Sequence, residues 1–229
     1  MKKLLFFIPF FLMGCSMTQK ISYRTDNLAP VTAVTTFPIL VDVQIFTDKR
    51  QTIKENEILF SQQRVSKVDG KSACLNSEKG YKKDSVSTQI TRIMTEHFNK
   101  ARLFSFASCM QGNQSEYYLT GTLNSFYGMQ GVSTAARVGA QFGLLGALAT
   151  AGAKTKGKII IDISDIKLYK KDGTLVKDFG DFYKEYNEDL PADAYCTCIY
   201  TNANAKLKDY TSHLIEKIRT DLAEVTFPQ

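Results

Sequence analysis

The feature that most constrains this chain lies in its first fifteen residues. Lys2-Lys3 is followed by the apolar run Leu4 to Met13 and then by Gly14-Cys15. A basic start, a short apolar stretch and a small residue at its end are the parts of an export leader. An apolar stretch of about ten residues is too short to span a bilayer, which needs ~20, so the run reads as a cleaved signal and not as a retained membrane helix. Everything after it then has to fold outside the cytoplasm as a domain of its own.

The stretch Leu12-Met13-Gly14-Cys15 resembles the bacterial lipobox, with Met13 a departure from the usual small residue. The resemblance implies a diacylglyceryl group on Cys15, cleavage before it, and sorting by Ser16 to the periplasmic face of the outer membrane, with surface exposure left open. The alternative is an ordinary secretory leader that happens to precede a cysteine. Each buried methylene is worth ~0.8 kcal/mol, so two or three acyl chains hold a domain at a membrane with no protein segment crossing it.

Cleavage before Cys15 leaves 215 of the 229 residues, enough for one sizeable core or two small ones. At 44% hydrophobic and 23% charged residues the composition is that of a folded globular chain. The formal charge of +6 loses Lys2 and Lys3 with the leader, leaving +4 in scattered positions. That balance argues against a nucleic-acid partner and allows weak attraction to anionic headgroups or glycans.

Four further cysteines, Cys74, Cys109, Cys196 and Cys198, form an even set in an exported chain and point to disulfides. Cys74 with Cys109 is the favoured pair, and Cys196 with Cys198 is a second pair or a dithiol. A redox or metal role for Cys-Thr-Cys finds no histidine or third cysteine nearby in sequence, so no metal and no cofactor is expected.

Residues 15–38 read as the lipidated N-terminus and tether, because Ser16 to Phe37 is polar and without period. A single α+β domain is expected over 39–229. Ile39 to Phe46 reads as a buried strand and Glu57 to Arg64 as a weaker one, with Lys67 to Lys83 a surface loop that carries Cys74. Asp84 looks like an N-cap for a helix whose apolar stripe is Val86, Ile90, Ile93, Met94, His97, Phe98 and Ala101, with His97 half-buried at its edge. Leu103 to Ala107 and Tyr117 to Tyr127 read as strands. Gly157 to Lys170 is a strand whose register shifts at Ser164-Asp165, the mark of a bulge. Lys171-Asp172-Gly173 is a tight turn into a partner strand, Leu175 to Tyr186. A closing helix over Asn202 to Val225 puts Leu207, Tyr210, Leu214, Ile218 and Leu222 on one face. The expected architecture is a mostly antiparallel sheet with two long amphipathic helices packed on one face.

Between 128 and 153 the composition turns to glycine, alanine and small polar residues, with Arg137 the only charge. Read as a helix, Ala135, Gly139, Gly143, Ala147 and Ala151 form a stripe of small side chains, a surface that lets another backbone approach closely. Three readings fit: a glycine-rich linker, a helix or hairpin making a subunit contact, and an insertion that touches a membrane after assembly. Glycine's cost in a helix, ~1 kcal/mol against alanine, counts against the helical versions.

No spacing for a catalytic site is present: no GxSxG elbow, HExxH, P-loop or EF-hand loop. His97 and His213, the only histidines, fall on apolar helix faces, and the carboxylate pairs Asp162 with Asp165 and Glu188 with Asp189 read as solvated charges. An enzyme is not expected.

The lipobox, the tether, a first strand ending in Phe46-Thr47-Asp48-Lys49-Arg50, the amphipathic helix ending near Phe104 and the strand pair around Asp172-Gly173 resemble several groups of small periplasmic lipoproteins. These are the curli-secretion-channel lipoproteins, the YajG-like lipoproteins and the auxiliary lipoproteins of ABC transporters. The resemblance implies an α+β periplasmic domain and a role in envelope assembly or transport, and carries over no functional residue except Cys15. Two functions follow as expectations. One is a lipid-anchored structural or assembly component that binds a protein partner or its own copies. The other is a periplasmic module that carries an apolar or glycan ligand for a transporter.

Overall fold

The computed structural model describes residues 37–50, 58–60, 63–68, 71–76, 86–109, 115–131, 152–191 and 197–227. The strands are β1 (Phe37–Val43), β2 (Thr47–Asp48), β3 (Ile58–Phe60), β4 (Gln63–Val68), β5 (Lys71–Asn76), β6 (Phe104–Cys109), β7 (Tyr117–Gly131), β8 (Lys154–Lys170) and β9 (Leu175–Pro191). The helices are α1 (Val86–Lys100) and α2 (Thr197–Leu222).

The fold is α+β, a curled sheet in the order β6-β1-β7-β8-β9 with two helices. The long ladders β7–β8 and β8–β9 are antiparallel, as expected, but β1 runs parallel to both β6 and β7. A parallel neighbour needs a crossover between the strands, and α1 supplies the one from β1 to β6. The short strands β1, β2 and β5 line one side of β7 in succession, at Tyr117–Leu119, Thr122–Leu123 and Gly128–Gly131.

Alternation in the strands sorts the two faces. Phe37, Ile39, Val41 and Val43 of β1 and Ile159, Ile161 and Ile163 of β8 are buried and point toward the helices. Ile90, Met94 and Phe98 of α1 and Leu207, Tyr210, Leu214, Ile218 and Leu222 of α2 meet them in one core. The stripes expected from helical spacing are therefore the packing faces.

The bulge expected at Ser164-Asp165 is present. Pairing of β8 with β9 slips between Ile163 and Ile166, and Asp165 takes a left-handed φ of 52°. Opposite it, Gly180 has φ 71°, and Asp181 accepts the Asp165 N–H at 3.1 Å. Two facing irregularities bend the hairpin and curl the sheet. At its tip Gly173 has φ 87°, as the Asp-Gly turn requires.

α1 ends in a Schellman closure: Leu103 N–H bonds the Phe98 carbonyl at 3.0 Å and Arg102 N–H the Asn99 carbonyl at 3.1 Å, with Arg102 left-handed at φ 51°. α2 closes over the same end through Arg219, whose Nη2 donates to the Ala101 carbonyl at 2.6 Å.

Several expectations need correction. The region 57–83 is not one weak strand and a loop: β3, β4 and β5 form a meander, and β5 joins β7. Val68 pairs with Lys71, so Asp69-Gly70 is a two-residue connection of the kind that closes a hairpin. β7 runs four residues into the expected 128–153 insert, to Gly131. β1 begins at Phe37, two residues before Ile39. Both strands of the β8–β9 hairpin also extend further than expected, and α2 starts at Thr197. Asp84 lies outside the described residues.

Candidate functional site

Cys15 and all five stripe residues, Ala135, Gly139, Gly143, Ala147 and Ala151, lie outside the described residues. The two ends of the insert are nevertheless placed. Gln130 pairs with Gly157, whereas Tyr117 pairs with Lys170 at the opposite end of the same ladder. Segment 132–151 thus leaves and returns at one end of β7–β8. The chain from Cys15 enters β1 at the other, because β1 runs parallel to β7 with Val41 beside Tyr117. From Tyr117 to Gly131 is roughly 45 Å of strand at ~3.3 Å per residue.

The favoured disulfide is not formed: Cys109 is a free thiol. The sheet explains why. Cys74 stands beside Gln130, and Cys109 beside Val43, which is itself beside Leu119. The stretch of β7 between Leu119 and Gln130 is roughly 35 Å long, far beyond the ~7 Å Cα separation a disulfide tolerates. Burial pushes the Cys109 thiol above its ordinary pKa, against the favourable charge of Arg92. Cys198 lies in the first turn of α2 and Cys196 outside the described residues.

His97 is more deeply buried than expected, at 3% exposure. Burial, helped by the charge of Lys208 on α2, lowers its pKa to about 4, so it is neutral at pH 7. His213, by contrast, is exposed, and its Nδ1 lies 3.0 Å from the Asp209 carbonyl oxygen in its own helix.

The outer face of the sheet, away from the helices, changes character along its length. Toward the insert it is ionic. Lys156 pairs with Asp189 at 2.6 Å and Lys158 with Glu185 at 3.0 Å. Asn187 and Tyr183 also donate to Glu185, and these bonds together hold its carboxyl down at about 2. Asp162 moves the other way, raised by burial and by nearby Asp181. The Glu188 carboxylate turns to the helix side and pairs with Lys206 of α2. Glu185, Glu188 and Asp189 are thus matched charges, in keeping with the solvated reading of Glu188 with Asp189, whereas Asp162 is partly buried within β8. Toward the β1 entry the face carries Leu40 at 43%, Phe106 at 53% and Leu175 at 49% exposure. Sequence reasoning missed this group, because Leu40 and Phe106 become neighbours only through the β1–β6 pairing.

Among the described residues no group of His, Cys, Asp or Glu is arranged to hold a metal, and no helix is long and apolar enough to cross a membrane. The core, the bent hairpin and the parallel β1 together define the architecture, and it has a solved counterpart. The chain shares its fold with a Xanthomonas campestris protein assigned to DUF330. The two superpose with a TM-score of 0.51 at 11% identity, over 90% of this chain and 97% of that one. A Caulobacter crescentus protein provisionally described as a lipoprotein matches at TM-score 0.33 and 13% identity, over 59% of this chain and 85% of its own. The PelC dodecamer of Paraburkholderia phytofirmans matches at 0.31 and 8%, over 78% and 91%. The last two are too distant to add to the description of the fold. No family model and no curated relative matches the sequence.

Proposed function

We propose that this protein is a lipid-anchored, non-enzymatic envelope lipoprotein that serves as a structural or assembly component of a secretion or transport machine. Cys15 is its membrane attachment, at the periplasmic face of the outer membrane, and the small-residue stripe from Ala135 to Ala151 is its contact with a protein partner or with its own copies.

The observation that carries the reading is the placement of the two ends of the β7–β8 ladder. The tether joins at the Phe37 end, and the insert is rooted at the Gly131 and Lys154 end. The ladder thus separates the root of the insert from the point where the tether joins by roughly 45 Å of strand, which puts the insert where another protein can meet it. Ligand carriage between sheet and helices fits less well, since that interface is filled by the common core.

Sizing the full-length lipidated protein in mild detergent tests the reading. A species several times the monomer mass, returned to monomer by deletion of residues 139–151, is expected. A monomer that co-purifies with lipid would support carriage instead.

A further inference from the structure

We infer that the outer sheet face around Leu40 and Phe106 is a membrane-contact surface, which lays the β1 end of the domain against the bilayer that holds the acyl chains of Cys15. The inference rests on the anchoring reading above and adds an orientation to it.

Among the described residues four large apolar or aromatic side chains stand out as exposed: Leu40, Phe106, Leu175 and Tyr183. Tyr183 is accounted for, since its hydroxyl donates to Glu185 at 2.9 Å within the ionic part of the face. The other three gather in two adjacent rows at the tether end. Leu40 of β1 lies directly beside Phe106 of β6. One row along, Asp42 neighbours Tyr118, Tyr118 neighbours Tyr169, and Tyr169 neighbours Leu175. The Tyr118 and Tyr169 rings are stacked, with centroids 5.2 Å apart. The apolar group thus crosses all five strands of the curled sheet. Asp42, the carboxylate within these rows, is only 8% exposed and accepts the Ser108 hydroxyl at 3.1 Å.

A cluster of exposed phenylalanine, leucine and tyrosine is the composition that settles at a membrane interface, with the apolar parts inserted and the phenols at headgroup level. The occupant is indicated by the chain itself. Leu40 is three residues into β1, at the end where the chain from Cys15 joins the domain, so an acylated Cys15 brings this corner within reach of the bilayer. Charge contributes little: at the nearby hairpin tip exposed Lys170 and Lys171 are offset by Glu116 and by Asp172, which caps the Thr174 N–H at 2.8 Å. The contact is therefore apolar, and salt leaves it unchanged.

Hydroxyl-radical footprinting read by mass spectrometry tests this. The lipidated full-length protein on vesicles of phosphatidylethanolamine and phosphatidylglycerol is compared with Cys15→Ala protein in buffer. Several-fold slower modification of Leu40, Phe106 and Leu175 on vesicles is expected, with Tyr183 unchanged, at low and high salt alike. In the acylated Leu40→Ser/Phe106→Ser protein, which substitutes only exposed side chains, Leu175 should lose its protection. Unchanged rates at Leu40 and Phe106 in protein that floats with the vesicles would overturn the membrane contact and leave the anchor standing. Protection that grows with concentration in buffer would do the same, by assigning the face to a second copy. Protein without an acyl chain removes the anchoring reading and this inference together.

Discussion

Asn99, in the last turn of α1, binds both backbone groups of Ala107 in β6: its Nδ2 donates to the carbonyl and its Oδ1 accepts the N–H, each at 2.8 Å. β6 is an edge strand, and its open side would otherwise offer a donor and an acceptor to any passing chain. The other edge, β9, is treated in the same way by α2, whose buried Tyr210 donates to the Phe182 carbonyl at 2.5 Å. Each helix thus occupies backbone groups of the edge strand it covers, at Ala107 of β6 and Phe182 of β9.

Asn99→Ala should lower stability by about 1–2 kcal/mol, the cost of leaving part-buried backbone groups unpaired. A urea titration measures this. Because the substitution also opens the β6 edge, the variant should aggregate at lower concentration than the parent.

Arg102 pays a backbone penalty at the α1 terminus, where its φ of 51° suits glycine better. Arg102→Gly should stabilise the domain by about 0.5–1 kcal/mol, less than the full ~1–2 kcal/mol left-handed strain because glycine is freer in the unfolded chain. The thermal midpoint should rise. A fall would show that the exposed arginine makes contacts that outweigh the strain.

His97 sets an acid limit. Its folded pKa of about 4 lies below the ordinary 6.5, so between these values the unfolded chain binds the proton more readily. Stability from this group is complete above pH 6.5, falls as the pH drops toward 4, and then levels, with a loss of up to about 3 kcal/mol. Chemical denaturation from pH 7 to 4 should show that slope, and His97→Gln should flatten it.

Gly157 sits where a side chain has no room. A Cβ there would lie 2.3 Å from Leu190 Cδ1 and 2.7 Å from its Cγ. Gly157→Ala should cost about 1–3 kcal/mol by overpacking. Combined with Leu190→Ala, which empties the same space, the two costs should sum to less than the separate values. Additivity would show that the leucine already moves freely.

Much of this architecture was legible in local pattern. Helical spacing marked Ile90, Met94 and Phe98 and the α2 face, and the Asp172-Gly173 turn and Ser164-Asp165 slip marked the bent hairpin, because each depends on residues adjacent in the chain. The parallel placement of β1 between β6 and β7 was not legible, since nothing in Ile39 to Val43 names a partner. The same gap underlies the disulfide error: an even number of cysteines carries no geometry, and the Asp69-Gly70 connection puts Cys74 in a strand of a hairpin and not in a loop. The contact surface was hidden for a related reason. Leu40 and Phe106 are unremarkable singly, and their grouping exists only across the sheet.

The central claim is that Cys15 carries the lipid on which the rest of the arrangement depends. Labelling cells with radioactive palmitate and fractionating them tests it most directly. The account predicts a labelled protein in the membrane fraction, and an unlabelled Cys15→Ala protein that no longer sediments with membranes. A Cys15→Ala protein that still takes up palmitate and stays in the membrane fraction would contradict it.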